Sequence, residues 1–161
     1  MTSIPALGPR GEGWVLLQLA LILGIAILGA LALPAAIAGW PARWPFVIQG
    51  ALLLGVGGWV VIQGARRLGD SLTAMPRPRD DASLVQDGIY ARVRHPMYAG
   101  IVGLGLGWAF VTLSLPALVV ALVLALVLDL KARREEGWLA ERYTGYPEYR
   151  SRTHRFIRGV Y

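Results

Sequence analysis

A chain of 161 residues that is 55% hydrophobic carries more apolar side chain than a soluble domain does, and this points to a membrane. It has no cysteine, which excludes disulfides and thiolate metal sites, and its two histidines, His95 and His154, argue against a protein-held catalytic metal. In such a chain a formal charge of +6 reads as orientation and contact with anionic lipid, since no soluble basic module for nucleic acid is visible.

Residues 1–13 make a short polar start, expected to be mobile. From Gly13 to Ala42 no residue is charged. That run exceeds the roughly 20 residues a membrane helix needs. It predicts a first span over 14–36, loosening near Pro34, and it is too long for a signal-peptide core, so no cleaved leader is expected. Trp40, Pro41, Arg43, Trp44 and Pro45 predict an interfacial turn with tryptophans at headgroup depth. The next uncharged run predicts a second span over 45–65, ended by Arg66 and Arg67. Its glycines 50, 55, 57, 58 and 64 would let another helix come close. Residues 68–95 read as a long polar loop with Leu84-Val85 as an apolar island. A loop of that length is either functional or disordered, and the ordered motif that follows it favours function.

Pro96 to Leu128 is uncharged for 33 residues. One helix of that length would measure about 50 Å, too long for a hydrocarbon core of roughly 30 Å. Ser114-Leu115-Pro116 offers a break, so the pattern predicts a tight helical hairpin with spans over 96–113 and 116–134. Gly103 and Gly107 favour close packing of its first arm. The second arm is expected to run on into water to about Tyr143, where Gly145 and Pro147 interrupt it before a short helix and tail. The fold class is therefore all-α: a single membrane domain of about four transmembrane helices with further cytosolic C-terminal helices. Four spans put both termini on one side. That side holds Arg10, the arginines at 66, 67, 77, 79, 92 and 94, and eight basic residues from Lys131 onward, against Arg43 alone opposite. The positive-inside rule then makes both termini, the loop 68–95 and the tail 135–161 cytosolic, facing each other.

Candidate chemistry gathers where that loop meets the third helix. Pro96 suits a first helical turn. Arg94 and His95 then stand beside backbone N–H groups that lack partners inside the helix, a place for an anionic or zwitterionic small molecule. They fit equally well as interfacial residues flanking a membrane helix, the arginine snorkelling to headgroups. Glu135 and Glu136, beside Lys131 and Arg134, could complete a site for an amphoteric ligand. They could as well be a solvated face, Glu135 pairing with Lys131 four residues back. Tyr143, Tyr146 and Tyr149 could line an apolar or sulfonium site, or form an interfacial belt. Asp129 reads as a local ion pair with Arg133, and His154 as a lipid-facing basic residue.

The order of residues Gly88-x-Tyr90-x-x-Val93-Arg94-His95-Pro96-x-Tyr98-x-Gly100 resembles the signature of the isoprenylcysteine carboxyl methyltransferase family, which is similar to the phospholipid N-methyltransferases. Upstream, Leu68-Gly69, Pro76-x-Pro78 and Leu84-Val85-x-x-Gly88 extend the match. Downstream, Glu135-Glu136, Leu139, Tyr146-Pro147-Glu148-Tyr149-Arg150 and Arg155-Phe156-Ile157 form a second block. The resemblance runs from Leu68 to the C-terminus. It implies an integral membrane enzyme that uses S-adenosylmethionine. It implies a cofactor pocket built from Leu84, Val85, Tyr90, His95, Pro96, Met97, Tyr98 and Glu135, with Arg94 and Glu136 as further cofactor candidates. Lys131 stands where eukaryotic members carry a substrate-linked arginine; it keeps the charge but loses the bidentate fork, and Arg134 adjoins it as a second substrate candidate. The tail departs from the family in having Tyr143-Thr144 where Phe-Gly is usual.

The expected reaction is methyl transfer, O-methylation foremost, to a lipophilic acceptor entering from the bilayer: an isoprenylcysteine-type carboxylate or another small apolar molecule. A carboxylate needs no general base, whereas an amine or phenol does, and no residue stands out as one, so no catalytic residue is assigned. No metal and no nucleic acid is expected. Two other classes stay open. One is an NADPH-dependent sterol-reductase-like enzyme, for which no dinucleotide glycine motif is present. The other is a non-catalytic membrane protein that binds an apolar ligand.

Overall fold

The computed structural model describes residues 4–38, 43–78, 82–157 and 159, so the expected Trp40-Pro41 turn and Arg79, Asp80 and Asp81 lie outside the described residues. Among the described residues five α-helices follow one another: α1 (Glu12–Ala38), α2 (Trp44–Leu68), α3 (Pro96–Thr112), α4 (Leu115–Arg142) and α5 (Tyr146–Ser151). Short 3-10 turns at Gly69–Ser71 and Gly88–Ala91 interrupt the loop between α2 and α3. The protein is all-helical; among the described residues only an isolated bridge between Val93 and His154 adds extended pairing.

α1, α2 and α4 are long and apolar enough to cross a membrane. α3 has 17 residues, about 26 Å, which is near the lower limit for a crossing helix. The outer faces of the bundle are aliphatic and open: Leu23 and Leu31 on α1, Leu52 and Val56 on α2, and Leu122 and Leu126 on α4 are all more than half exposed. α4 continues without interruption for 28 residues, about 42 Å, so its last turns rise beyond the apolar layer.

The turn between α3 and α4 follows from its sequence. Leu113 takes a left-handed conformation (φ 51°) that closes α3, and Pro116 occupies the first turn of α4. Ser114 caps α4: its Oγ accepts from Ala117 N at 3.2 Å and donates to Leu28 O of α1 at 3.1 Å. Ser114→Ala removes both bonds and is expected to lower the stability of the detergent-solubilised protein by about 1 kcal/mol, read as a drop in melting temperature.

Two contact zones hold the helices. Ile25 of α1, Ala109 of α3 and Ala117, Ala121, Leu124 and Leu128 of α4 form the buried apolar core. α2 packs instead on the far side of α3, and no substantial interface joins it to α1 among the described residues. Its contact runs through Gly50, Gly57 and Gly64, seven residues apart, facing Gly107, Gly100 and Met97. Gly55, expected to share that role, faces open space.

One end of the bundle collects the N-terminal segment, the loop and the tail. Arg77 N donates to Arg10 O at 3.3 Å, Gly11 lies against the Pro76 ring, and Trp14 Nε1 donates to Pro5 O at 3.1 Å. Of the polar start expected to be mobile, the described residues from 4 onward fold onto the loop, because their backbone groups and Pro76 offer partners no local pattern announces. Arg43 lies at the other end, its Nη1 donating to Ala35 O at 3.1 Å.

Candidate functional site

Loop and tail are joined into one platform at the mouth of α3. Arg94 N donates to His154 O at 2.8 Å, His95 N to Arg155 O at 3.0 Å, and His154 N to Arg92 O at 3.1 Å. The two N–H groups just ahead of Pro96 are therefore occupied by the tail.

A buried ion cluster fastens this platform to α4. Glu136, 3% exposed, accepts from Arg94 Nε at 3.0 Å and from Arg155 Nε and Nη2 at 3.1 Å each. Arg155 Nη1 reaches Asp129 Oδ1 at 3.0 Å, and Asp129 also holds Arg133 Nε at 2.7 Å. Arg94 Nη1 donates further to the carbonyls of Arg150 and Thr153. Glu136 is therefore neither a solvated face nor open to a ligand.

Glu135 faces the other way, into a cavity of about 470 Å³, within the range of roughly 300–1,000 Å³ usual for small-molecule sites. Leu84 and Val85 of the loop, Tyr90 of the 3-10 turn, and Arg94, His95, Met97 and Tyr98 at the head of α3 line it together with Lys131 and Glu135 of α4. Of the other residues singled out in the sequence, Pro96 is buried against a groove on the opposite side of α3, Glu136 belongs to the ion cluster, and Arg134 lays its guanidinium over the Trp138 ring at 4.2 Å. None of these three lines the cavity.

The polar groups on the wall are few and held in place. Tyr98 OH donates to Glu135 Oε2 at 2.8 Å, and the His95 ring stacks on Tyr98 with centroids 5.3 Å apart. His95 Nδ1 lies 3.8 Å from Glu135 Oε2. Lys131, 2% exposed, donates to Gln18 Oε1 at 2.7 Å and Ala74 O at 3.3 Å, with Nζ 5.0 Å from the centre of the Tyr98 ring. The i−4 pairing of Lys131 with Glu135 is replaced by these contacts. The cavity so presents one carboxylate and one ammonium in an otherwise largely apolar and aromatic wall.

Tyr143, Tyr146 and Tyr149 close the tail side of the cavity. Tyr143 OH donates to Ala82 O at 2.6 Å and Tyr149 OH to Tyr90 O at 2.8 Å, tying the tail to both halves of the loop. Burial pushes the phenols of Tyr90 and Tyr146 well up and that of Tyr149 to about 12, so all three stay protonated at neutral pH. Tyr146 Oη is buried without a partner among the described residues, an isolation that costs free energy.

Sequence reasoning missed the share of α1: Val15, Gln18 and Leu19 form one wall. Gln18 is the lone side-chain amide in the first apolar run, and that isolation is the signal that could have found it. The 72–76 stretch, whose Ala74 carbonyl holds Lys131, carried no signal beyond Pro76.

A helical bundle with an aliphatic exterior and a charged, aromatic-lined cavity at one end is a membrane protein with a pocket of small-molecule size. The phospholipid methyltransferase family matches residues 45–145, and the chain belongs to that family; it is an integral membrane methyltransferase. No curated protein sequence matches the chain.

Proposed function

We propose that the cavity binds S-adenosylmethionine and that this chain methylates a lipophilic acceptor arriving from the bilayer, the cavity end facing the cytosol. The observation that carries this reading is the convergence of both sequence blocks on one cavity: Leu84-Val85, Tyr90, His95 and Met97-Tyr98 from the first, Glu135 from the second. Bound there, S-adenosylmethionine supplies an electrophilic methyl on a sulfonium. The protein's residues hold, orient and exclude water. Glu135 is the carboxylate available to an ammonium group, since Glu136 is engaged by Arg94 and Arg155. The aromatic faces of Tyr90 and Tyr98 suit a positive sulfur. Tyr146 Oη supplies a hydrogen bond that has no other use among the described residues. Passed to a carboxylate oxygen, with the C–S bonding pair kept by sulfur, that methyl would turn an anion and a cation into two neutral groups. Charge is cancelled, so a dry wall favours the step. Lys131 supplies a fixed positive charge for an acidic acceptor, which favours O-methylation of a lipophilic carboxylate, an acceptor with no proton to lose.

Thermal melting of the detergent-solubilised protein tests this. S-adenosylmethionine and S-adenosylhomocysteine at 100 times their dissociation constants should each stabilise the fold by about 2.7 kcal/mol, and NADPH should not. His95→Ala and Glu135→Ala should each weaken S-adenosylhomocysteine binding by roughly tenfold or more. Full affinity in both folded variants would overturn the site assignment, and stabilisation by NADPH alone would favour a reductase.

A further inference from the structure

A second surface lies on the opposite face of α3 from the cavity. The cavity takes Met97, Tyr98 and Ile101; the other face, with Pro96, Ala99, Gly100 and Gly103, forms an apolar groove against Leu53, Val56 and Gly57 of α2. The groove exists because the α2–α3 contact is made by glycines, which bring the backbones together and leave a trough above them. At the basic end of α2 the groove runs into a notch formed by Trp59, Gln63, Arg66, Arg67 and Arg92, with Ile89 and Val93 shared between the two.

The order of groups along α2 is that of a lipid seen from tail to head. Val56, Trp59, Gln63 and Arg66 follow at helical spacing on one face. From Trp59 to Arg66 the axis rises about 10 Å, the step from an interfacial indole to a phosphate-level cation. Arg67 is paired with Asp87, which neutralises that carboxylate. The side chains of Trp59, Gln63, Arg66 and Arg92 make no hydrogen bond or ion pair among the described residues. The notch so offers two uncompensated guanidinium groups, an indole N–H and an amide, directly above an apolar trough.

We propose that this surface binds an anionic phospholipid, its phosphate between Arg66 and Arg92, its glycerol region against Trp59 and Gln63, and an acyl chain in the α2–α3 groove. It is a site for a resident lipid, separate from the cavity and independent of what the cavity binds. Native mass spectrometry of the full chain, delipidated and then titrated with phosphatidylglycerol or phosphatidylcholine of the same chains, tests it. The wild type should retain phosphatidylglycerol in preference. Arg66→Gln with Arg92→Gln should weaken that retention roughly fivefold per arginine removed without changing the melting temperature in zwitterionic detergent. The charge-keeping pair Arg66→Lys with Arg92→Lys should keep the preference. Equal retention of the two lipids by the wild type, an undiminished preference in the glutamine variant, or full displacement of the lipid by soluble glycerol 3-phosphate would each overturn the proposal.

Discussion

Glu136→Gln is expected to destabilise the protein by about 3–5 kcal/mol and to free the tail from the loop. Glutamine keeps the size and one acceptor oxygen but removes the charge that faces Arg94 and Arg155, whose side chains are 8% and 11% exposed. Against a well-packed apolar replacement such a cluster gains little, because drawing three charged groups from water costs nearly what their attraction returns. Removing only the anion is the costly case, since two cations then stay desolvated and only Asp129 remains, beside Arg155. The effect should be directional. Arg94 is the strap between loop and tail through the carbonyls of Arg150 and Thr153, so its release opens the pairing of residues 92–95 with 154–155 and withdraws Tyr146 and Tyr149 from the cavity. Melting in detergent and limited trypsin cleavage at Arg150, Arg152 and Arg155 should both show it. Glu148→Gln, which removes only an exposed pair with Arg152, should leave both unchanged. A Glu136→Gln protein that melts with the wild type and resists trypsin would remove the cluster's role in holding the tail.

The helix boundaries were legible because local chemistry sets them. Pro96, the Ser114-Leu115-Pro116 turn and the Gly145/Pro147 pair act through backbone donors and dihedral limits, and α3, α4 and α5 begin or end there. Pro34 is the exception: α1 runs through it to Ala38. The site was legible as a set of residue types but not as a set of directions. Glu135 and Glu136 are neighbours, and helical geometry sends them about 100° apart; which one meets the cavity is decided by where Arg155 returns, nineteen positions on. The same limit applies to Lys131. Its spacing from Glu135 is right for a surface pair, yet Gln18, 113 positions away, takes its proton donor. Arg134 turns to Trp138, one turn along its own helix. Long-range partners chose among options that the local pattern left equal.

Gly100→Val should unseat α2 and disable the cavity together. A Cβ at Gly100 would stand 2.7 Å from Gly57 O and 2.7 Å from Val61 Cγ2. One at Gly57 would stand 2.8 Å from Gly100 O, and Gly50 and Gly107 repeat the arrangement two turns away, at 2.7 and 2.8 Å from each other's carbonyls. The carbonyl oxygens are backbone atoms, so no rotamer change relieves those contacts even where Val61 can turn aside; α2 must move away from α3. Overpacking of this kind costs about 1–3 kcal/mol for small additions, so Gly100→Ala should fall in that range and Gly100→Val above it. Because α2 has no comparable interface with α1 among the described residues, its register rests mainly on α3, with the exposed Arg67–Asp87 pair and the 3-10 turns touching only its last turns. The displacement should reach the cavity through Gly64, whose carbonyl lies 3.5 Å from Tyr90 OH and where an added Cβ would stand 2.5 Å from Met97 Cγ. Ligand affinity should therefore fall along with melting temperature across the series Gly100→Ala, Gly100→Val. Gly55→Ala, which adds a methyl where nothing lies within 4 Å, should change neither. A Gly100→Val protein with the melting temperature and S-adenosylhomocysteine affinity of Gly55→Ala would mean that α2 can shift along or away from α3 without cost, and that the cavity does not depend on where α2 stands.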